Sequence, residues 1–197
     1  MTASLDFTAQ QRRIVDALRP FFGAEADTLY EANGRSLRKL AYFARSSSLP
    51  CCQQLMTGLA LAQELLVEEL SAGSVFDSTT AVADFLKLHF AGQPHESFAV
   101  MYLDARNALL AFEDVFRGTL TQTSVYPREI LKRALHHNCA SVILSHTHPS
   151  GSVEPSRADE LLTQALRTAL AMVDVRVLDH LIIAGDRSTS FAQRGLL

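Results

Sequence analysis

The chain has 197 residues, 48% hydrophobic and 20% charged, which excludes wholesale disorder and predicts one ordinary domain or a compact domain with a small one, burying roughly 70% of its unfolded surface. Its net charge of −3, with 18 basic residues scattered among 21 acidic ones, argues against a general affinity for nucleic acid, which needs a concentrated basic field. No run of about 18 apolar residues occurs, the N-terminal stretch breaks its apolar positions with charge, and Cys51, Cys52 and Cys139 have no framework spacing, so the expectation is a cytoplasmic protein with reduced thiols, no membrane span and no secretory signal.

The first 75 residues read as all helix. Residues 9–22 place Ile14, Val15, Leu18 and Phe21 at helical spacing, short helices are expected over 24–31 and 36–44, and a longer one over 52–70. The serines of 46–48 and Pro50 mark the break before that long helix. The densest basic stretch, Arg35, Arg38, Lys39 and Arg45, lies on the third helix and reads as a solvated face. Residues 71–80 are small and polar, and set the expected boundary between a helical N-terminal domain over 1–75 and a second domain over 76–197.

Past the boundary, Ser78 or Thr79 is placed to cap a helix reaching about Phe90. The pattern then changes. Residues 97–103 and 108–116 are short, apolar and separated by Asp104–Asn107, so they read as a hairpin. Pro127 suits the first turn of a helix to about His137. Residues 141–145 form a continuous apolar run, the mark of a buried strand. Pro149-Ser-Gly151 forces a loop, Ser156 opens a helix to about Met172, and 175–184 alternates as a last long strand. The fold class is therefore α/β (α+β), a mixed sheet with flanking helices behind a small helical module.

The chemistry concentrates between His146 and Asp159. His146 and His148 are two apart at the end of the buried strand, so their side chains leave on the same face and can converge on one ion. Asp159 follows in the first turn of the next helix. Two histidines and a carboxylate make a three-ligand zinc site whose fourth position is free for water, the pattern of a catalytic site. Asp159 also suits a reciprocal cap with Ser156, and capping and metal binding are compatible. Glu96, Glu113, Glu129 and Glu154 all compete as the proton carrier on sequence alone. His180 reads as a satisfied core or edge histidine, Arg128 as structural, and Cys139 as packed.

The spacing His146-x-His148, seven residues, Ser156, two residues, Asp159 resembles the signature of the JAMM (JAB/MPN-type) metalloproteases, whose fold is a cytidine-deaminase-like mixed sheet. Within them the chain is similar to the RadC family, through His146, His148-Pro-Ser-Gly151, Pro155-Ser156 and Asp159, with Thr147 where that family has Asn. Glu96-Ser-Phe98, Gly118-Thr119-Leu120, Val125–Glu129 and Leu178–Ile183 extend the resemblance over about 78–197. It implies that His146, His148 and Asp159 ligate Zn²⁺, that Glu96 is the general acid/base, and that Ser156 helps stabilise an oxyanion. It also implies a peptide or isopeptide amide as substrate.

Nucleic acid is the weaker candidate partner. The family resembles helix-hairpin-helix proteins at its N-terminus, and residues 30–40 are similar to one such helix pair, but the second glycine-rich turn is missing and Leu49–Gln53 stands near its place. Without those glycines the backbone cannot easily approach a phosphate. The alternative reading is a module that binds DNA or repair partners with a structural or vestigial metal site. Apolar residues on edge strands leave a homodimer open.

Overall fold

The computed structural model describes residues 7–73, 79–118 and 125–197, which form two compact units, one up to Ala62 and one from Gln63. In the first unit, α1 (Ala9–Phe22) is opened by Thr8, whose hydroxyl accepts from Gln11 N while the Gln11 side chain accepts from Thr8 N. A 3₁₀ turn (Gly23–Glu25) leads to α2 (Ala26–Ala32), followed by α3 (Leu37–Ser46) and the first turns of α4 (Pro50–Ala72). Val15, Leu18, Phe22, Tyr30, Leu40 and Cys52 meet in its core. Between α2 and α3, Gly34 and Arg35 both take positive φ, and Arg35 bonds Glu31 at 2.6 Å beneath a cation–π contact with Phe7. One of the four clustered basic residues is thus engaged within the unit.

Packing divides the chain inside α4, ahead of the small, polar stretch over 71–80, because α4 runs on to Ala72 and gives Leu66, Val67 and Leu70 to the second unit's core. Ser78, one of the two expected caps, lies outside the described residues; α5 spans Thr79–His89. No helix among the described residues is long and apolar enough to cross a membrane.

The second unit holds a five-stranded mixed sheet of β1 (Ser97–Leu103), β2 (Leu109–Arg117), β3 (Ser141–Thr147), β4 (Arg176–Ala184) and β5 (Arg187–Ser190), in the order β2-β1-β3-β4-β5. β1 and β2 form the expected hairpin. Asp104 Oδ1 closes its turn by accepting from Arg106 N and Ala108 N, and Asn107 takes the left-handed conformation there. β3 is antiparallel to β1 and parallel to β4. A parallel pair cannot be joined by a tight turn, and α7 (Arg157–Ala171) makes the crossover.

Alternation sends Ala99, Met101, Leu103, Ile143, Leu181 and Ile183 to one face, against α5 and the end of α4. Phe98, Val100, Tyr102, Val142 and Leu144 go to the other, against α7 and α6 (Pro127–His136). With both faces covered, every residue of β1 and β3 is buried, and β3 reads as the continuous apolar run the sequence shows. Cys139 packs beside it, and burial raises its thiol pKa. Two features differ from the sequence reading. β3 continues through His146 and Thr147, and a fifth strand, β5 (Arg187–Ser190), turns back on β4 at Gly185, whose φ of 69° suits glycine.

Candidate functional site

The site forms where β3 ends. His146 is the penultimate residue of β3 and faces the α7 side, paired in register with Phe98 of β1 and Ile182 of β4. His148 follows two residues on and is held by its backbone, its N–H donating to Ile183 O at 2.9 Å. The loop after it returns at once to the start of α7, so one short piece of chain supplies both imidazoles and Asp159. Glu96 comes from another direction, immediately before β1, where its carbonyl accepts from Gly118 N at 2.8 Å.

The imidazoles converge: His146 Nε2 and His148 Nε2 are 2.8 Å apart. Asp159 Oδ1 lies 3.3 Å from the first, and its Oδ2 3.7 Å from the second. Ligand atoms of Glu96, His146 and His148 all lie within 4.8 Å of one another, a set able to hold a metal ion. Their environment is nearly dry on one side: His146 is 2% exposed, and Asp159 is buried too.

Local hydrogen bonds decide which nitrogens carry protons. His148 Nδ1 sits 2.9 Å from Ser152 O, and a carbonyl only accepts, so Nδ1 carries a proton and the neutral tautomer presents its lone pair at Nε2. On the other ring, His146 Nδ1 is 2.8 Å from His180 Nε2. His180 is fully buried, and burial, reinforced by the neighbouring His146, holds its pKa well below the ordinary histidine value and keeps it neutral. Phe191 stacks on it with ring centroids 4.7 Å apart. The core reading of His180 thus holds for its burial, but the ring is also bonded to a site residue.

Asp159 divides its work between two oxygens. Ser156 is the N-cap of α7: its hydroxyl accepts from Asp159 N, while Asp159 Oδ2 accepts from Ser156 N at 2.8 Å and from Ser156 Oγ at 2.6 Å. Oδ1 is left facing the imidazoles. Burial opposes ionisation here, but hydrogen bonding and charge from His146, together with the bonds from Ser156, outweigh it and hold the carboxyl well below the usual carboxylate range. Glu96 behaves oppositely. Burial raises its pKa, and the nearby His146 and His148 only partly offset it. Two carboxyls in one site are therefore pushed apart in acidity.

The rival glutamates go elsewhere. Glu113 is tied to Arg133 and to His137 at 2.8 Å on the β2–α6 side. Glu129 bonds Lys132 and Arg128 on the surface, where Arg128 is highly exposed. Glu154 stands at the rim of the site and accepts from Arg194 at 2.6 Å. A cleft of about 610 Å³ opens over the histidines, walled by Phe98, Val125, Pro149 and Leu162, with Glu96 and Glu154 among its polar groups and no Lys or Arg among the described lining residues. Sequence reasoning missed four contributors: Thr163, the Ser152 carbonyl, and Arg187 and Arg194, which clamp the loop through Gly151 O and Glu154. Only Thr163, one helical turn beyond Asp159, had a signal in its spacing. Of the further pieces behind the resemblance, Thr119 and Leu120 lie outside the described residues.

Comparison with known proteins identifies the family. The RadC-like JAB domain family matches residues 76–196. Proteins named UPF0758 from an Acidovorax species, Albidiferax ferrireducens and Methylibium petroleiphilum are 59%, 56% and 58% identical over 144 residues, 73% of this chain. The aligned part covers 60%, 62% and 65% of those relatives, so the chain spans less than two thirds of their length. With the match covering more than half of its residues, and the paired imidazoles at the end of β3, the chain belongs to the RadC-like JAB domain family.

Proposed function

We propose that the chain is a zinc-dependent hydrolase that uses a metal-activated water to cleave a peptide or isopeptide amide. The observation that carries this reading is the convergence of two Nε2 atoms, 2.8 Å apart, with Asp159 Oδ1 beside them. Nitrogens at that distance need a proton or a metal ion between them, and two imidazoles with a carboxylate alongside are a donor set that fits a divalent ion of the nitrogen- and oxygen-binding kind. His146, His148 and Asp159 would hold Zn²⁺, which when bound supplies a water whose pKa falls toward about 7 and a Lewis acid for the substrate carbonyl.

The chain's own groups supply the rest. Glu96, half-buried and with a raised pKa, is suited to take a proton from the attacking water and hand it to the leaving amine. Ser156 can serve the oxyanion only by turning its hydroxyl from Asp159 Oδ2 to the substrate oxygen. Phe98, Val125 and Leu162 give the cleft apolar walls for a side chain of the substrate. Its acidic groups disfavour a phosphodiester, which needs cations around its oxygens, and this sets an amide above DNA as the substrate.

Metal content measured by mass spectrometry tests the reading, beside His146→Ala and Asp159→Ala and with hydrolysis of a broad peptide library. About one zinc per chain, lost in both folded variants, with cleavage abolished by Glu96→Gln, is the expected result. A metal-loaded protein inert on the library and indifferent to Glu96→Gln, with salt-dependent binding to branched or gapped DNA, would favour the binding-module alternative.

A further inference from the structure

We infer that His180 and Thr163 are positioning residues that lock the tautomer of His146, through a proton chain that begins on the backbone of Asp159. The inference rests on the proposed metal reading, since its consequence is felt at His146 Nε2.

The chain can be read in one direction only. Thr163 Oγ1 lies 2.6 Å from Asp159 O, one turn back on α7. A carbonyl has no proton to give, so at that distance the threonine proton lies between the two oxygens. Thr163 Oγ1 is then an acceptor toward its second neighbour, His180 Nδ1, also 2.6 Å away, and that nitrogen must carry a proton. A neutral imidazole has one N–H, so His180 Nε2 is an acceptor. It faces His146 Nδ1 at 2.8 Å, and His146 must donate. In the neutral ring His146 Nε2 is then left bare, aimed at His148 and Asp159.

The rings cannot easily evade this arrangement. His180 is fully buried on β4, with Phe191 stacked on one side and Phe98 edge-on at 5.6 Å, so it has no solvent to exchange bonds with. Phe98 also lies parallel to His146, with an interplanar angle of 11°. Thr163 is itself 2% exposed. The peptide group of Asp159 thereby specifies the protonation of a ring on another element, while its carboxylate faces the same ring's far nitrogen. Partners of this kind fix ligand orientation, and their loss weakens metal binding on the order of 10–100-fold.

The test uses the full chain, ¹⁵N-labelled on histidine, with Zn²⁺ as the probe and far-UV circular dichroism as the check on folding. Metal-free parent protein is expected to show His146 and His180 both protonated at Nδ1. Thr163→Val, close in shape but without the hydroxyl, is expected to mix the tautomers of both rings and to weaken Zn²⁺ on the order of 10–100-fold. Thr163→Ser restores the hydroxyl and should bind within about twofold of the parent. An Nε2-protonated His146 in the metal-free parent overturns the inference, as does a folded Thr163→Val that keeps both tautomers and the parental affinity. If Thr163→Val fails to fold, the parental tautomers and His180→Gln decide: its amide can accept from His146 and donate to Thr163, so a folded His180→Gln that binds as weakly as His180→Leu overturns the chain. A parent that binds no Zn²⁺ sinks the metal reading instead, and the tautomer spectrum still judges this one.

Discussion

Replacing Asp159 with asparagine separates two tasks that its carboxylate performs with different oxygens. Oδ2 caps α7 through Ser156 N and Ser156 Oγ, and Oδ1 faces His146 Nε2 at 3.3 Å. Asparagine has one oxygen and one NH₂. With the oxygen at Oδ2 the cap survives, and an NH₂ without an available lone pair faces the imidazoles. The opposite rotamer sets NH₂ against Ser156 N–H, donor against donor, so the capping rotamer wins. Metal-free stability should then fall by only about 1 kcal/mol, the difference between charged and neutral hydrogen bonds. Asp159→Ala, which loses both bonds, should cost about 2–4 kcal/mol. Zinc should not separate the two variants in this way, because both lose Oδ1. At a concentration 100 times the parental Kd it stabilises the parent by about 2.7 kcal/mol, and a ligand loss that weakens affinity hundredfold leaves about 0.4 kcal/mol in Asp159→Asn. The assay is urea unfolding in EDTA and in Zn²⁺, followed by far-UV circular dichroism because the chain has no Trp. Equal stabilisation of parent and Asp159→Asn by zinc would refute the assignment of Oδ1 as a ligand, and equal metal-free losses in the two variants would refute the division of labour.

Glu96→Gln should keep about one zinc per chain while lowering hydrolysis on the order of 10²–10⁴-fold; loss of the zinc instead would move Glu96 from proton carrier to ligand, alongside His146 and His148. The two site carboxyls should tilt metal-free stability with pH in opposite senses. Asp159, depressed on folding, contributes stability that is present above its unfolded pKa and drains as pH falls through its folded one, so Asp159→Asn should flatten the acid limb below about pH 4. Glu96, raised on folding, opposes folding once pH climbs past its unfolded value, so Glu96→Gln should gain on the parent toward neutral pH and match it in acid, a difference that urea titrations at several pH values will show. The Tyr102 hydroxyl is buried with no hydrogen-bond partner among the described residues, so Tyr102→Phe should raise stability by about 1 kcal/mol; an unchanged or lower urea midpoint would mean that the hydroxyl is satisfied in solution.

What the sequence made legible was local. The two-residue spacing of His146 and His148 placed both rings on one face because a strand alternates, and the Ser156–Asp159 spacing described a cap because a helix start leaves its N–H groups free. The hairpin at Asp104–Asn107 and the crossover helix were readable for the same reason. What escaped depended on register. Nothing in the run Asp179-His-Leu shows that parallel pairing of β3 and β4, which registers His180 with Leu144, carries its ring diagonally to within 2.8 Å of His146. Glu96 could not be singled out from its own surroundings, because its rivals are removed by where the fold puts them: Glu113 is tied to Arg133 and His137 across from β2, and Glu129 is held on the surface by Lys132 and Arg128 of its own helix. β5 was hidden because Arg187–Ser190 has almost no apolar content and is a strand only by virtue of pairing with β4.

The placement of these residues along the chain also bears on the order in which the site comes together. His146, His148 and Asp159 sit in one contiguous stretch, and the side-chain bonds by which backbone groups orient His148 and Asp159 reach no farther than Ser152 and Ser156, with only the His148 N–H relying on Ile183 of β4. Bringing them together closes only a short loop, which is fast and entropically mild. Glu96 and His180 arrive by strand pairing across far longer separations. On the proposed assignment, a newly made chain gains a weak grip on its ion as soon as β3 and α7 meet. The grip tightens when β4 docks, and proton transfer becomes available only when β1 joins the sheet, so a half-folded molecule would hold metal without being able to use it on its neighbours.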